Sequence, residues 1–500
     1  MDNLTNIDNN QCKEDAESLP NLVTETPAPK TKVMYANTTN NLTDINKDWW
    51  KENAEGIPKL VTETPGPKSM VMHANTTKYM KGLSSQVKLF PVCFDEGYGI
   101  TMTDVDGNKY LDFSSGIYVT SLGHCHPKIS EAISYWAKRL MNCHDFTTPV
   151  KEKLMEKMAS ILPGKLNAIQ LYSDGTTAVE AAIRAARAIS GKHEFISAFR
   201  DFHGKTSAAV SCAQMHRGDT FSYGPSRMAG FYMVPRPDPY RPTWSKADGT
   251  IDTDAYIKFY ETFLLEGTVG NVAAFVLEPA QGWGGSIFPP DDFFPKLKQL
   301  CDKYKILLLD DEVLAGMGRT GEWLTLNHWG VIPDIVTFGK SFGNGFPVTA
   351  MVVSEENGEA LEKISASSSY GGNPMACAAA LASIEVIEDE NILQNVRTVG
   401  EYFMKRMTKM KEEHPIIGDV KGKGFLLGIE LVKDKKTKEP FEEAGKLVYQ
   451  KAFKRGLAWI PAGHILRMSP PLIMDEKYAK MGMDIIEEAI TEVEKQFGYR

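Results

Sequence analysis

KILLLDDEVLAGMGRTGEWLTLNHWGVIPDIVTFGKSFGNGF, residues 305–346, is the stretch on which the reading of this 500-residue chain turns. It opens with an apolar run, Ile306 to Leu309, that ends in three acids, Asp310, Asp311 and Glu312. A short apolar run bounded in this way reads as a buried parallel strand whose C-terminal end carries chemistry. A second run, Ile335 to Phe338, ends at Gly339-Lys340. An acid and a lysine therefore stand at the ends of two predicted neighbouring strands. In open α/β sheets that edge is where ligands bind. Taken alone, DDE also reads as an acid capping a helix, and a single lysine as a solvated one. The GMGRTG between them and the GNGFP after the lysine turn two ordinary residues into a constellation.

A lysine in such a place forms an imine with a carbonyl, and a carboxylate there holds a ring nitrogen protonated. Together they are what pyridoxal 5'-phosphate (PLP) requires. With the flanking motifs, the chain resembles the class III PLP-dependent aminotransferases of fold type I. That family includes 4-aminobutyrate and ornithine aminotransferases and a few amino-acid epimerases. The resemblance runs from about Pro58 to the C-terminus. It implies an α/β fold: a large domain with a mostly parallel seven-stranded sheet and a smaller α+β domain. It also implies roles. Asp311 pairs with the pyridinium nitrogen and keeps the ring an electron sink. Lys340 is the Schiff-base lysine and later the proton shuttle. Val313 packs on one ring face and Phe202 on the other. Leu314 stands where relatives carry a glutamine, so that family contact is missing.

The remaining motifs lie on either side. Ala168 to Tyr172 reads as a strand, and SDGTTAVEAAIRAARAI as a helix starting near Gly175. A glycine turn at a helix start offers free N–H groups and the helix dipole to an anion. By resemblance Gly175 and Thr176 bind the cofactor phosphate, while Asp174 would repel it unless its side chain caps the helix. In the strand-loop FISAFRDFHGKT, His203 and Gly204 are implied to pack beside Phe202. Lys205 falls where several relatives carry an arginine that touches a substrate carboxylate. AAFVLEPAQGWGG resembles the family's EPxQGExG, which puts Glu278 near Asp311 and leaves Trp283 in place of the second acid. In relatives that acid masks an arginine, matched here by Arg467 in LRMSPPL. Ile117 and Tyr118, in SSGIYVTSLGHCHPKISEAI, are implied at the mouth of the substrate pocket. Ser369, in SASSSYGGNPMACA, is implied to reach the phosphate of a neighbouring subunit's site. His124 and His126 have no further ligand cluster beside them and read as structural, so no metal is expected.

Composition sets the class. Hydrophobic residues make up 42% of the chain and charged ones 24%, as in ordinary globular proteins. The net charge of −8 gives no reason to expect nucleic acid or an anionic membrane as partner. No apolar run approaches the roughly 20 residues of a membrane span. The polar, acidic N-terminus reads as neither a signal nor a transit peptide. The seven cysteines are scattered without a CxxC pair, as in a reducing compartment, so a cytoplasmic location is expected.

The first 80 residues carry a repeat: PNLVTETPAPKTKVMYANTT at 20–39 and PKLVTETPGPKSMVMHANTT at 58–77, differing at five aligned positions. The second copy matches the segment that precedes the first strand in relatives. The first, with the linker around Trp49 and Trp50, reads as an added extension. Expected boundaries are 1–55 for the extension, 56–121 for the N-terminal part of the small domain, 122–375 for the large PLP-binding domain and 376–500 for the C-terminal small domain. PVCFDEGYGITMTDVDGNKYLDF reads as a hairpin turning at Asp106-Gly107-Asn108. Residues 129–140, 378–388, 392–411 and 475–497 read as helices, and 422–430 as a strand.

The reading is a ping-pong aminotransferase that moves an amino group from an amine or amino acid to a 2-oxo acid. A homodimer is its minimal active form, with a tetramer open. Two alternatives stand beside it. One is an amino-acid racemase or epimerase on the same scaffold, which HPIIGDVKGKGFLLGIELVKDKKTKEP and LRMSPPL resemble equally. The other is a non-catalytic PLP-fold binding protein. For the donor, Trp283 and Arg467 are compatible with a large apolar amino acid or with a bulky amine. They suit 4-aminobutyrate less.

Overall fold

A computed structural model of the chain describes residues 46–213, 227–460 and 463–500. The chain divides into two compact units, Met1–Asn46 and Lys47–Arg500. The first copy of the repeat, at 20–39, lies outside the described residues. All elements below belong to the second unit.

That unit begins nine residues before the expected boundary at 55. Trp50 is only 2% exposed, and its ring meets Tyr478 edge-on with centroids 5.5 Å apart. Trp49 packs in the same manner on Tyr98 and His126. Each indole removes a large apolar area from water, so the segment adheres to the body. The linker around these tryptophans is thus part of the folded body, which corrects the sequence reading.

The described strands, in chain order, are β1 (Phe94–Tyr98), β2 (Thr101–Asp104), β3 (Lys109–Asp112), β4 (Leu166–Tyr172), β5 (Glu194–Ala198), β6 (Phe231–Val234), β7 (Val272–Leu277), β8 (Leu307–Glu312), β9 (Ile335–Phe338), β10 (Thr349–Ser354), β11 (Ile417–Lys423), β12 (Leu426–Leu431), β13 (Leu457–Ala458) and β14 (Ile465–Met468). Seven form the central sheet, in the order β4-β10-β9-β8-β7-β5-β6. β10 alone runs against its neighbours; the run β9-β8-β7-β5-β6 is parallel throughout. Its inner strands are apolar on both faces because helices cover both. Ala274, Val276 and Leu309 pack with the helix Gly175–Ser190. The alternate residues Phe275, Leu277 and Leu308 pack with the helices Thr253–Glu266 and Phe293–Tyr304.

Strand alternation then sorts the three acids. Asp311 follows Leu309 onto the face of helix Gly175–Ser190, and Asp310 and Glu312 take the other face. Asp311 stands opposite Thr337 of β9, and Glu312 opposite Phe338. Lys340 lies two residues past the end of β9, so acid and lysine meet at one edge.

Two smaller sheets flank this one. The meander β1-β2-β3 is joined in parallel by β13, and β11-β12-β14 is antiparallel. The segment 422–430 is not one strand. Gly424, with φ of 57°, turns the chain between Lys423 of β11 and Leu426 of β12. The helix read at 378–388 begins at Pro374, where Asn373 caps it. Among the described residues no helix is long and apolar enough to cross a membrane.

Candidate active site

Asp311 is 3% exposed and has all its oxygens committed. Oδ2 lies 2.7 Å from Nδ1 of His203. Oδ1 accepts from the Thr337 hydroxyl at 3.0 Å and from the Val313 amide at 3.1 Å. His203 sits between two acids, with Nε2 3.6 Å from Asp201. Burial opposes its charge, but the carboxylates of Asp201 and Asp311 outweigh burial and lift the imidazole to about 10. Asp311 is therefore held in place by the His203 ring and two neutral donors. Asp310, by contrast, is buried with Oδ2 unpartnered, and burial with the neighbouring Glu312 and Asp311 pushes its carboxyl well up.

Lys340 and Asp311 line one cavity of about 330 Å³. Burial lowers the Lys340 ammonium to about 8, against the pull of Glu278 and Asp311 and with help from Arg467. Its φ of 45° is in the left-handed region, a conformation that a non-glycine residue holds only when its surroundings impose it. Glu278 accepts from the amides of Phe202 at 2.9 Å and Gly282 at 3.0 Å. Burial, then Asp201, raises Glu278 to about 8.

Gly175 and Thr176 line the same cavity at a helix start. Asp174 is the cap of that helix: its carboxylate accepts from the Thr177 amide at 3.0 Å and the Thr177 hydroxyl at 2.6 Å. Its charge is thus spent on the helix. The amides of Gly175 and Thr176 have no acceptor among the described residues. Val313 stands between two glycines. A methyl group at Gly175 would come within 2.8 Å of Val313 Cγ1, and one at Gly339 within 3.0 Å.

Arg467, on β14, is 2% exposed and makes no ion pair among the described residues. Its guanidinium lies 4.5 Å from the Trp283 ring centre and 5.5 Å from that of Tyr118. Carbonyls of Gly282 and Ile460 accept from it at 3.4 Å each. Arg319 covers the Tyr118 ring too, at 5.4 Å. Tyr118 comes from a left-handed turn in which Ser115, Gly116, Ile117 and Tyr118 all have φ between 47° and 67°. Asp112 accepts from the Ser114 and Ser115 amides, and Ser115 donates to the Ser469 carbonyl at 2.8 Å. The turn is thereby tied to the strand end that carries Arg467.

Six expected residues stand outside the cavity lining: Tyr118 and Arg467, both buried, Ile117 and Trp283, both half-buried, and Lys205 and Ser369, both exposed. The Lys205 amide donates to Thr176 Oγ1 at 3.3 Å. His124 pairs with Asp112 at 2.9 Å, and His126 with Glu390 at 3.0 Å. Among the described residues no three His, Cys, Asp or Glu side chains group to hold a metal.

The family described as Aminotransferase class-III matches residues 83–490. The chain belongs to the class-III aminotransferases. It is 35% identical over 417 residues to the leucine/methionine racemase of Thermococcus litoralis, covering 82% of this chain and 93% of that one. It is 34% identical over 412 residues to the acetylornithine aminotransferase of Methanocaldococcus jannaschii, covering 81% and 95%. A transaminase from the marine bacterium Virgibacillus superposes with a TM-score of 0.79 at 29% identity, covering 85% of this chain and all of that one. The fold is accordingly fold type I, and the cofactor of this aminotransferase is pyridoxal phosphate. The residues present fit it. The cavity offers a fixed carboxylate, a lysine and two unpartnered amides at a helix start, with space cleared by glycines at 175 and 339.

Other residues of this class-III site escaped the sequence reading. Asp201 accepts from the Gln281 side chain at 2.7 Å and completes the chain Gln281–Asp201–His203–Asp311. Phe346, Pro347, Val348 and Thr349 line the cavity. The DxHG spacing at 201–204 and the FPVT after GNG were the available signals.

Proposed function

We propose that Lys340, Asp311 and Arg467 carry a ping-pong amino transfer between an α-amino acid and a 2-oxo acid. The observation that carries this reading is a buried lysine of lowered basicity sharing one cavity with the Asp311–His203 pair. When bound, pyridoxal phosphate supplies the electron sink that lets a substrate Cα–H ionise. Asp311, positioned by His203, would keep a proton on the ring nitrogen through a charge-assisted hydrogen bond. Lys340 Nζ, neutral for a substantial fraction of the time near pH 8, would take the Cα proton from the amino donor and, in the second half of the cycle, deliver one to Cα of the acceptor. The amides of Gly175 and Thr176 hold the phosphate at the dipole end of their helix. Phe202 and Val313 clamp the ring between them and keep water from it.

Substrate choice rests on Arg467. It is always charged and matches a carboxylate with two parallel hydrogen bonds. Two aromatic faces hold it in place, and Trp283 leaves no acid to neutralise it. The donor is therefore an amino acid with an α-carboxylate and an apolar side chain that lies against Trp283. A homodimer is part of this reading, supported by the exposed Ser369 and the 70% exposed Tyr370 beside it, on the loop that the family resemblance assigns to a neighbouring subunit's site. So are a cytoplasmic location, supported by six described cysteines that are all unpaired, and a large domain at 122–375 with flanking segments 56–121 and 376–500 as the small one. The test is a panel of amines and amino acids offered with 2-oxoglutarate and pyruvate. Transfer from leucine-like donors is expected, with borohydride fixing the cofactor on Lys340. Label on another lysine would sink the assignment.

A second reading is favoured by the resemblance to the leucine/methionine racemase: racemisation of such amino acids at the same site. It predicts inversion with solvent deuterium at Cα and no consumption of added 2-oxo acid.

A further inference from the structure

The second copy of the repeat is seated on the β2–β3 turn. Lys59 exchanges both backbone hydrogen bonds with Lys109, at 3.0 and 2.8 Å. The amides of Val61 and Thr62 donate to Oδ1 of Asn108 at 2.8 and 2.9 Å. Those of Lys68 and Ser69 donate to the two oxygens of Asp106 at 2.8 Å each. The seat is stiff. Asp104, 2% exposed, accepts from the amides of Asp106 and Asn108, from the Asn108 side chain and from the Tyr110 hydroxyl.

Every donor that the repeat segment offers to this seat is a backbone amide, so the first copy carries the same groups in the same order. The two copies differ at five positions, and only two of the five fall where the seat is tight. Gly66, where the first copy has Ala28, is one. Its φ of −71° and ψ of 166° suit any residue, so conformation does not demand glycine there. Space does: a methyl group on Gly66 would stand 2.7 Å from Asp106 Cβ and closer still to Cγ and Oδ2. Asp106 cannot yield without releasing the two amides it accepts. Ser69, where the first copy has Thr31, is the other; it is fully buried, and threonine adds a methyl group there. The remaining differences fall at Lys59 and Met70, both exposed, and at half-buried His73.

We infer that the turn Asp106–Asn108 is a peptide seat selective for the second copy, and that Gly66, assisted by Ser69, is the residue by which it refuses a segment with the first copy's sequence. Two nearly identical segments in one chain compete for a seat, and close approach rather than hydrogen bonding decides between them. The choice matters to the site, because β3 runs from this seat to Asp112, which braces the turn carrying Tyr118.

The test is amide hydrogen exchange on the full-length holoenzyme, read at Lys68 and Ser69. The variant Gly66→Ala/Ser69→Thr copies the first segment's tight positions into the second. It should lose protection at 68 and 69 by roughly tenfold or more. The variant Lys59→Asn/Met70→Lys/His73→Tyr copies all the other differences and should keep wild-type protection. Amides of β7 in the same spectra report that the body remains folded. Unchanged protection in the first variant, or loss in the second, overturns the inference.

Discussion

Asp311 is chosen from three consecutive acids by strand alternation, and its hydrogen-bond partners then fix its orientation. Asp311→Asn exchanges an ionic hydrogen bond for a neutral one. It should slow single turnover by about 10³-fold, roughly 4 kcal/mol of barrier. A rate within about tenfold of wild type would take the role from Asp311. Asp310 is no substitute, since it does not line the cavity. Lys340 allows a separate check on the cofactor-free protein. Its ammonium is lowered from 10.5 to about 8, so the neutral, reactive amine grows in as pH rises through 8. Acylation of Lys340, followed by peptide mass mapping, should reach half its maximal rate near pH 8, while exposed lysines lag by more than a unit. A midpoint above 10 would mean that burial does not govern it. At the specificity end, Trp283→Glu places an acid beside Arg467. Activity should rise on 4-aminobutyrate and fall on leucine, each by about tenfold, or roughly 1.4 kcal/mol. Loss on both substrates would make Trp283 a packing residue only.

At the scale of elements, helix Gly175–Ser190 performs two tasks at one end. Its cap, Asp174, satisfies Thr177 and leaves the next amides outward for an anion. Asp174→Ala should cost about 1 kcal/mol of stability, seen as a lower urea midpoint with unchanged slope. Cofactor binding should persist, because the carboxylate serves the helix. A large loss of cofactor affinity at unchanged stability would give Asp174 a direct part in the site. The left-handed turn at 115–118 is the opposite case. Three non-glycine residues there each pay about 1–2 kcal/mol in backbone strain. Hydrogen bonds to Asp112 and Ser469 hold them in place. Strain of this kind persists where a side chain, here Tyr118, must be aimed.

For the whole molecule, the N-terminal boundary is the clearest consequence. Residues 1–46 form a unit of their own, so their deletion should leave melting temperature and elution volume unchanged. Deletion of 1–55 also removes Trp49 and Trp50. Loss of a buried tryptophan costs roughly 3–5 kcal/mol, so this shorter chain should melt several degrees lower. Equal melting of the two truncations would put the tryptophans outside the stabilising core. The same cluster joins Trp50 to Tyr478 of the C-terminal helix and to the β1–β3 meander. Both ends of the second unit thus close over one core, while the central sheet is built wholly from the middle.

The sequence by itself determined the class of fold and the reacting pair. Short apolar runs ending in acid or glycine-lysine specify parallel strands and a ligand edge, and those signals are local. Glycine at 175, the acids at 310–312 and the lysine at 340 were legible because strand ends and helix starts leave residue-by-residue marks. Tertiary structure alone decided the rest. Arg467 meets Trp283 and Tyr118 only because β14 packs beside loops far away in sequence. The cation on His203 exists because Asp201 and Asp311 converge on it within a dry interior. Trp50 is core rather than linker because a C-terminal helix lies against it. The turn at Gly424 was hidden because GKGF lacks the Asn-Gly or Asp-Gly pair that marks a tight hairpin. Lys205 stays outside the cavity although its motif neighbours line it. Each of these depends on which surfaces meet across hundreds of residues, and burial, charge and space at those meetings have no signature in local sequence.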